Sequence, residues 1–177
     1  MHMADALLSP AVGATMWAVS VGATGYGIYK IKEADLSEKK LPMMAVSGAF
    51  VFAAQMINFT IPGTGSSGHI GGGILLAILL GEFPALLTIA SVLVIQCLLF
   101  ADGGLLALGA NIFNMGVIPC LIVFPLIRKI LQKGVDKKKL TVVSVAGSVI
   151  GLQLGAFCVV LETLCSGIAR LPFQTFV

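Results

Sequence analysis

The sequence predicts an all-α, polytopic membrane bundle, and three observations lead there. Of 177 residues, 58% are hydrophobic and only 11% are charged, against the roughly 25% charged residues of a soluble domain. Mean hydropathy is +1.03. The apolar residues also gather into six stretches, over 10–29, 41–57, 70–80, 84–100, 111–130 and 140–169. A single transmembrane domain over 1–177, with six helices, follows.

Most of these stretches are long enough to cross the ~30 Å hydrocarbon layer as helices of about 20 residues. The first carries Ala14, Ala18 and Gly22 at intervals of four, and the last carries Gly147, Gly151 and Gly155 in the same way. Such rows of small residues let helix backbones approach closely in lipid. They serve either packing within the chain or the docking of another membrane subunit. The third stretch is too short to span and opens on Gly71-Gly72-Gly73, which predicts a tilted short helix or a half-helix fed by irregular backbone. Irregular backbone survives at membrane depth only inside protein or beside water.

Orientation follows from the cations. Lys30, Lys32, Lys39 and Lys40 fill the first connection, and Arg128, Lys129, Lys133, Lys137, Lys138 and Lys139 fill the one before the last helix. The positive-inside rule makes both cytoplasmic. The N-terminus, the 58–68 loop and the 101–110 loop then lie outside, with Arg170 alone against the bias. The net charge of +3 reports topology, so no nucleic-acid partner is expected. The start of the chain has no basic region, and Ala4-Asp5-Ala6 follows only three residues, so no cleaved signal peptide is expected and Met1 should persist. The four cysteines, scattered through apolar helices without CxxC spacing, read as packing thiols.

The two histidines carry the chemistry. His2 makes residues 1–9 a candidate chelating segment, because a histidine in second position offers three nitrogens: the α-amine of Met1, the deprotonated amide of His2 and the His2 Nδ1. His69, in a Gly/Ser loop over 58–73, would complete a planar set of four, a geometry that points to Ni(II) or Cu(II) rather than zinc or magnesium. Asp5 either adds an oxygen or solvates the terminus. Polar residues within the spans are few: Gln55, Asn58, Gln96, Asn111, Asn114, Gln153 and Glu162. Asn111 and Asn114, three apart on one face, line a pocket beneath the metal or orient His69, with Ser67 a further neighbour, or else they bond helix to helix. Gln96 and Gln153 read as interhelical hydrogen bonds. Glu162 reads as half solvated or paired with Arg170.

Two enzyme motifs nearly fit the glycine-serine loop. Gly63-x4-Gly68 is followed by His69-Ile70 where a P-loop has Lys and Ser or Thr, so ATP binding is not expected. Gly65-Ser66-Ser67-Gly68 has the GxSG form of rhomboid-type intramembrane serine proteases, but no histidine lies beyond His69 to serve Ser67 as base.

Three ordered blocks, Met1 to Pro10, Asn58 to His69 and Ala101 to Gly116, resemble the signature blocks of the CbiM/NikM family. These are the substrate-binding S-components of nickel and cobalt energy-coupling-factor transporters, and Met-Ala-Asp-Ala at 3–6 is most similar to the nickel branch. The resemblance implies a non-catalytic capture subunit for Ni2+, with Co2+ the alternative, that binds through Met1, His2 and His69. It also implies a transmembrane coupling (T) subunit, two cytoplasmic ATPases that hydrolyse the ATP, and a small accessory membrane subunit. The expected setting is a bacterial or archaeal cell membrane. The subunit is expected to topple in the bilayer, with the stripes Ala14, Ala18, Gly22 and Gly147, Gly151, Gly155 as docking faces. The family pattern continues into a seventh helix, about where this chain stops at Leu171 to Val177.

Overall fold

Ser9 and Pro10 start the first helix for a local reason: the Ser9 Oγ accepts from the Val12 N–H at 3.3 Å, and proline at the first helical position forfeits only an N–H that has no partner there. The computed structural model describes residues 2–33, 40–62, 66–132, 134 and 136–168. Met1, Lys39, Lys133, Arg170 and the rest of the 169–177 end lie outside the described residues, as does the Ser67 side chain. The six apolar stretches become six helices: α1 (Pro10–Glu33), α2 (Lys40–Gln55), α3 (Gly73–Leu80), α4 (Glu82–Phe100), α5 (Leu108–Leu131) and α6 (Lys137–Ser166). Of these, α4, α5 and α6 are long and apolar enough to cross a membrane.

Two short strands lie in the 58–73 region, which a Gly/Ser composition does not suggest. Strands β1 (Phe59–Ile61) and β2 (Ser66–Gly68) pair antiparallel, with Phe59 opposite Gly68. A Cβ on Gly68 would strike the Phe59 ring, so the glycine lets the ring cover the strand. The chain then enters α3 through Gly72, at φ +78 with Val51 packed where a side chain would project. Only glycine meets both demands. With eight residues, α3 is the half-helix that the short third stretch predicts.

The centre of the bundle is the contact of α3, α4 and α5, where Leu76, Leu86, Ile89, Leu93 and Cys120 are fully buried. The middle of α5, Phe113–Val123, is wound as a wide π-helix around Pro119. Proline lacks the N–H that a regular turn needs, and the wider winding redistributes the ladder around it. At the opposite end from the histidines, Arg128 of α5 reaches Glu82 at the start of α4 at 3.0 Å.

The small-residue stripes have different fates. On α6, Gly147, Gly151 and Gly155 are buried; a Cβ at Gly147 would strike Ile127, and Gly151 faces Pro119 and Ile74. The docking role expected for these three residues is therefore corrected: they are used inside the chain, where α6 crosses the wide segment of α5. On α1 the internal face is instead Gly13, Ser20 and Gly27, all buried, while Ala14, Ala18 and Gly22 are exposed. Gly22 has open space around it.

The tightest helix contact is between α1 and the start of α5. A Cβ on Gly109 would lie 2.7 Å from the Trp17 Cα, the Ser20 Oγ donates to the Gly109 carbonyl at 2.6 Å, and the Trp17 Nε1 donates to the Leu105 carbonyl at 2.8 Å. Because the obstacle is backbone, Gly109→Ala must push α1 away and should cost about 1–3 kcal/mol. Gly22→Ala should stay within about 0.5 kcal/mol. Thermal melting of the two variants in one detergent checks the contrast.

Candidate metal centre

The start of the chain is folded into the protein. Met3 is fully buried, and the Asn111 side chain grips its main chain twice: the Met3 N–H donates to Oδ1 at 2.8 Å, and Nδ2 donates to the Met3 carbonyl at 3.2 Å. A primary amide offers one acceptor and one donor side by side, so it satisfies an extended residue as a neighbouring strand would. A 3₁₀ turn over Asp5–Leu7 follows, and the Asp5 Oδ1 accepts from the Ala107 N–H at the start of α5, at 2.8 Å. Met3, Leu7 and Leu8 pack with Ala107, Ala110 and Val159. Gly103, at φ +89, passes under this segment with its missing Cβ 3.8 Å from the Cβ of His2, and Gly104 packs on the Asp5 carboxylate.

His2 is thereby delivered, buried, beside the hairpin loop. Its ring stacks on His69 with centroids 4.6 Å apart and planes at 30°. The His2 Nδ1 lies 3.2 Å from Asp102 Oδ2. Asp102 is aimed there by the end of α4: Ala101 takes the left-handed conformation at φ +52, and the N–H groups of Ala101 and Asp102 both return to the Gln96 carbonyl. The His69 Nδ1 lies 2.8 Å from the Ile70 carbonyl. A carbonyl only accepts, so in the neutral ring the proton sits on Nδ1 and Nε2 carries the lone pair.

Both imidazoles are held well below their ordinary value of 6.5, at about 4. Burial is the larger cause, with the positive charge of the amino terminus second. Near neutrality the centre therefore presents two neutral rings and a carboxylate, all suited to receive a cation. Among the described residues no three His, Cys, Asp or Glu side chains form a metal cage, so side chains alone do not complete it.

Of the residues singled out from the sequence, the structure unites His2 and His69. Met1 lies outside the described residues. Asn111 grips the N-terminal segment rather than orienting His69. Asn114 donates to Glu162 Oε2 at 2.9 Å and lines a cavity of about 40 Å³ under Gly71 to Gly73, with room for about one water. Glu162 is buried, which corrects the half-solvated expectation: its partner is on α5. Ser67 contributes its backbone to β2, opposite Thr60. Asp5 serves as an anchor for α5. Nothing in the sequence pointed to Asp102, the sole acidic residue of the 101–110 loop, while Gln96 makes the interhelical hydrogen bond expected of it, to Gln55 on α2 at 3.1 Å.

The depressed imidazoles make a prediction about the metal-free protein. The unfolded chain takes up protons near 6.5 and the folded chain only near 4, so stability is full above about 6.5 and is lost as the pH falls towards 4. Melting in detergent across that window should show the fall, and His69→Ala should reduce it by about half.

Comparison with known proteins places the chain. The family described as the cobalt uptake substrate-specific transmembrane region, CbiM, matches residues 2–177. A relative in Archaeoglobus fulgidus, named as a fused nickel transport protein, is 42% identical over 118 residues, covering 67% of this chain and 38% of its own length. One in Methanosarcina barkeri, named for cobalt transport, is 38% identical over 128 residues, covering 70% of this chain and 53% of its own length. The chain thus spans about a third to a half of these relatives. The crystal structure of a truncated transition metal transporter superposes with a TM-score of 0.85 at 33% identity, covering 99% of this chain and 79% of that one. The chain accordingly belongs to the CbiM family.

Proposed function

We propose that the chain is the metal-capturing subunit of an energy-coupling-factor uptake transporter, with Ni(II) as its substrate. The observation that carries this reading is the stack of His2 on His69 at 4.6 Å, which brings together the two histidines of the whole sequence. The relatives named for nickel and for cobalt transport support the metal class. In this reading the ion takes four nitrogens in a plane: the Met1 amine, the His2 amide and Nδ1, and the His69 Nε2. Strong-field planar donors suit low-spin Ni(II), and cobalt is the alternative substrate.

The basic ends of α1, α5 and α6 lie opposite the histidines in sequence order along each helix, so the positive-inside rule sets the centre on the outer face of a cell membrane. A transmembrane coupling subunit, two cytoplasmic ATPases and a small accessory membrane subunit complete the machine, and ATP hydrolysis belongs to the ATPases. The amine, the amide and both imidazoles must be deprotonated to ligate, so uptake of the ion releases protons and weakens in acid. With both imidazoles neutral down to about 4, the competition near neutrality falls on the amine and the amide.

Ni(II) titration of the full chain tests the donor set. One residue added before Met1, and separately His69→Ala, should each weaken binding by more than the ~10–100-fold typical of losing an outer-shell partner. Equal affinity of the extended chain would sink the amine as a ligand. The exposed row Ala14, Ala18 and Gly22 is proposed as the face for the coupling subunit. Leucine at all three should abolish uptake into cells while Ni(II) affinity in detergent is retained; loss of affinity instead would assign the row to the fold of the subunit.

A further inference from the structure

Asn114 of α5 and Glu162 of α6 form a polar pair that the metal centre does not use. The Asn114 Nδ2 donates to Glu162 Oε2 at 2.9 Å, and the two residues are only 2% and 6% exposed. That contact joins one atom of each group. The other two atoms, Asn114 Oδ1 and Glu162 Oε1, are buried and take part in no hydrogen bond. Both are oxygens. A carbonyl oxygen and a carboxylate oxygen can only accept, so neither serves the other, and buried acceptors left in this way are costly.

The charge of the carboxylate is the larger difficulty. Among the described residues no Lys, Arg or His pairs with Glu162. The hydroxyls that follow it on α6 are directed to main chain: Thr163 Oγ1 donates to the Val159 carbonyl at 2.8 Å, and Ser166 Oγ donates to the carbonyl of Glu162 itself at 2.7 Å. Glu162 also sits one turn before the end of α6 at Ser166, where the helix dipole disfavours an anion. The cavity of about 40 Å³ under Gly71 to Gly73 is lined by Asn114 but not by Glu162, so a water there would reach Asn114 alone. An ionised Glu162 would be a buried charge with one neutral partner. In an apolar bundle such a group takes up a proton instead.

We propose that Glu162 is a proton-binding site: its carboxyl is held as the neutral acid, protonated on Oε1, and donates to Asn114 Oδ1, so that amide and acid donate to each other and close a ring between α5 and α6. One proton from solvent meets three demands. It removes the charge, it turns Oε1 from an acceptor into a donor, and it supplies the donor that Asn114 Oδ1 lacks. The ring also accounts for the two residue types. A primary amide offers a donor and an acceptor side by side, and of the two states of a carboxyl only the acid offers the same. The clasp falls at the start of the wide segment of α5, Phe113–Val123, where the main-chain ladder is least regular and a side-chain link to α6 fixes the register of the two helices.

Infrared spectra of the full metal-free chain in detergent, recorded near neutral pH, test the assignment. The difference between wild type and Glu162→Gln should contain the C=O band of one protonated carboxyl, shifted in D2O, and no carboxylate bands. Asn114→Leu should move that band to the higher frequency of an unbonded acid without removing it, and should lower the melting temperature. Glu162→Gln should melt no lower than wild type, because glutamine presents the same donor and acceptor as the acid. Carboxylate bands in place of the C=O band overturn the proposal. So does a C=O band that is present in choline chloride and vanishes in sodium chloride, which would make the pair a cation site, and so does a band that Asn114→Leu leaves unmoved. No step needs Ni(II), so the outcome is independent of the donor set proposed for the metal.

Discussion

The grip of Asn111 on the main chain of Met3 is the interaction on which the rest of the metal centre depends. Chain ends fray unless something ties them down, and a buried end must also have its peptide groups satisfied. The Asn111 amide does both with one donor and one acceptor. Aspartate would offer acceptors alone, and leucine neither. Once Met3 is fixed, His2 has little freedom left: Gly103 lies below it, Asp102 lies beside its ring, and His69 stacks on its face. The apolar contacts of Met3, Leu7 and Leu8 with Ala107, Ala110 and Val159 add burial, but burial has no direction. The hydrogen bonds choose the register.

The same logic governs the polar residues within the helices. In an apolar bundle each polar side chain needs a partner, and here the pairs link helices that bear on the site. Gln55 with Gln96 joins α2 to α4, and Asn114 with Glu162 joins α5 to α6. Both pairs lie under the loop from His69 to Gly73, one through the Gly71 carbonyl and the other through the small cavity beneath Gly71 to Gly73. The half-helix α3 is what makes room for them. A full-length third helix would fill this end of the bundle with its own ladder and leave no carbonyl for Gln55 to bind.

The helices were legible in the sequence because apolar runs in lipid answer to length alone, and each of the six stretches became one helix within a few residues at its ends. The two histidines were legible because a second-position histidine has few other chemical uses and because only one other exists. Asp102 was not. Its reach to His2 depends on a left-handed Ala101 ending α4, which no spacing rule predicts for alanine. The role of Asn111 was misread for a similar reason: a helical period says which face it shares with Asn114, but its partner Met3 is 108 residues away. The pairing of Phe59–Ile61 with Ser66–Gly68 was hidden by the glycines of this region, which read as a loop until Phe59 is seen lying where a Gly68 side chain would be.

Two rows of small residues with the same spacing illustrate what period alone leaves undetermined. Gly147 and Gly151 are filled from within, by Ile127, Ile74 and Pro119, where α6 meets the wide winding of α5, and Gly155 is buried as well. Ala14, Ala18 and Gly22 are not filled, because α1 already has a second row, Gly13, Ser20 and Gly27, on the face that meets its own bundle. That inner row carries the close approach to α5 and its hydrogen bond to Gly109. A helix needs one such face to pack in its own chain. Small residues without a contact bring little to a lipid-facing surface, where larger apolar side chains would serve as well, so a second row on the opposite face is the feature of α1 that internal packing does not account for.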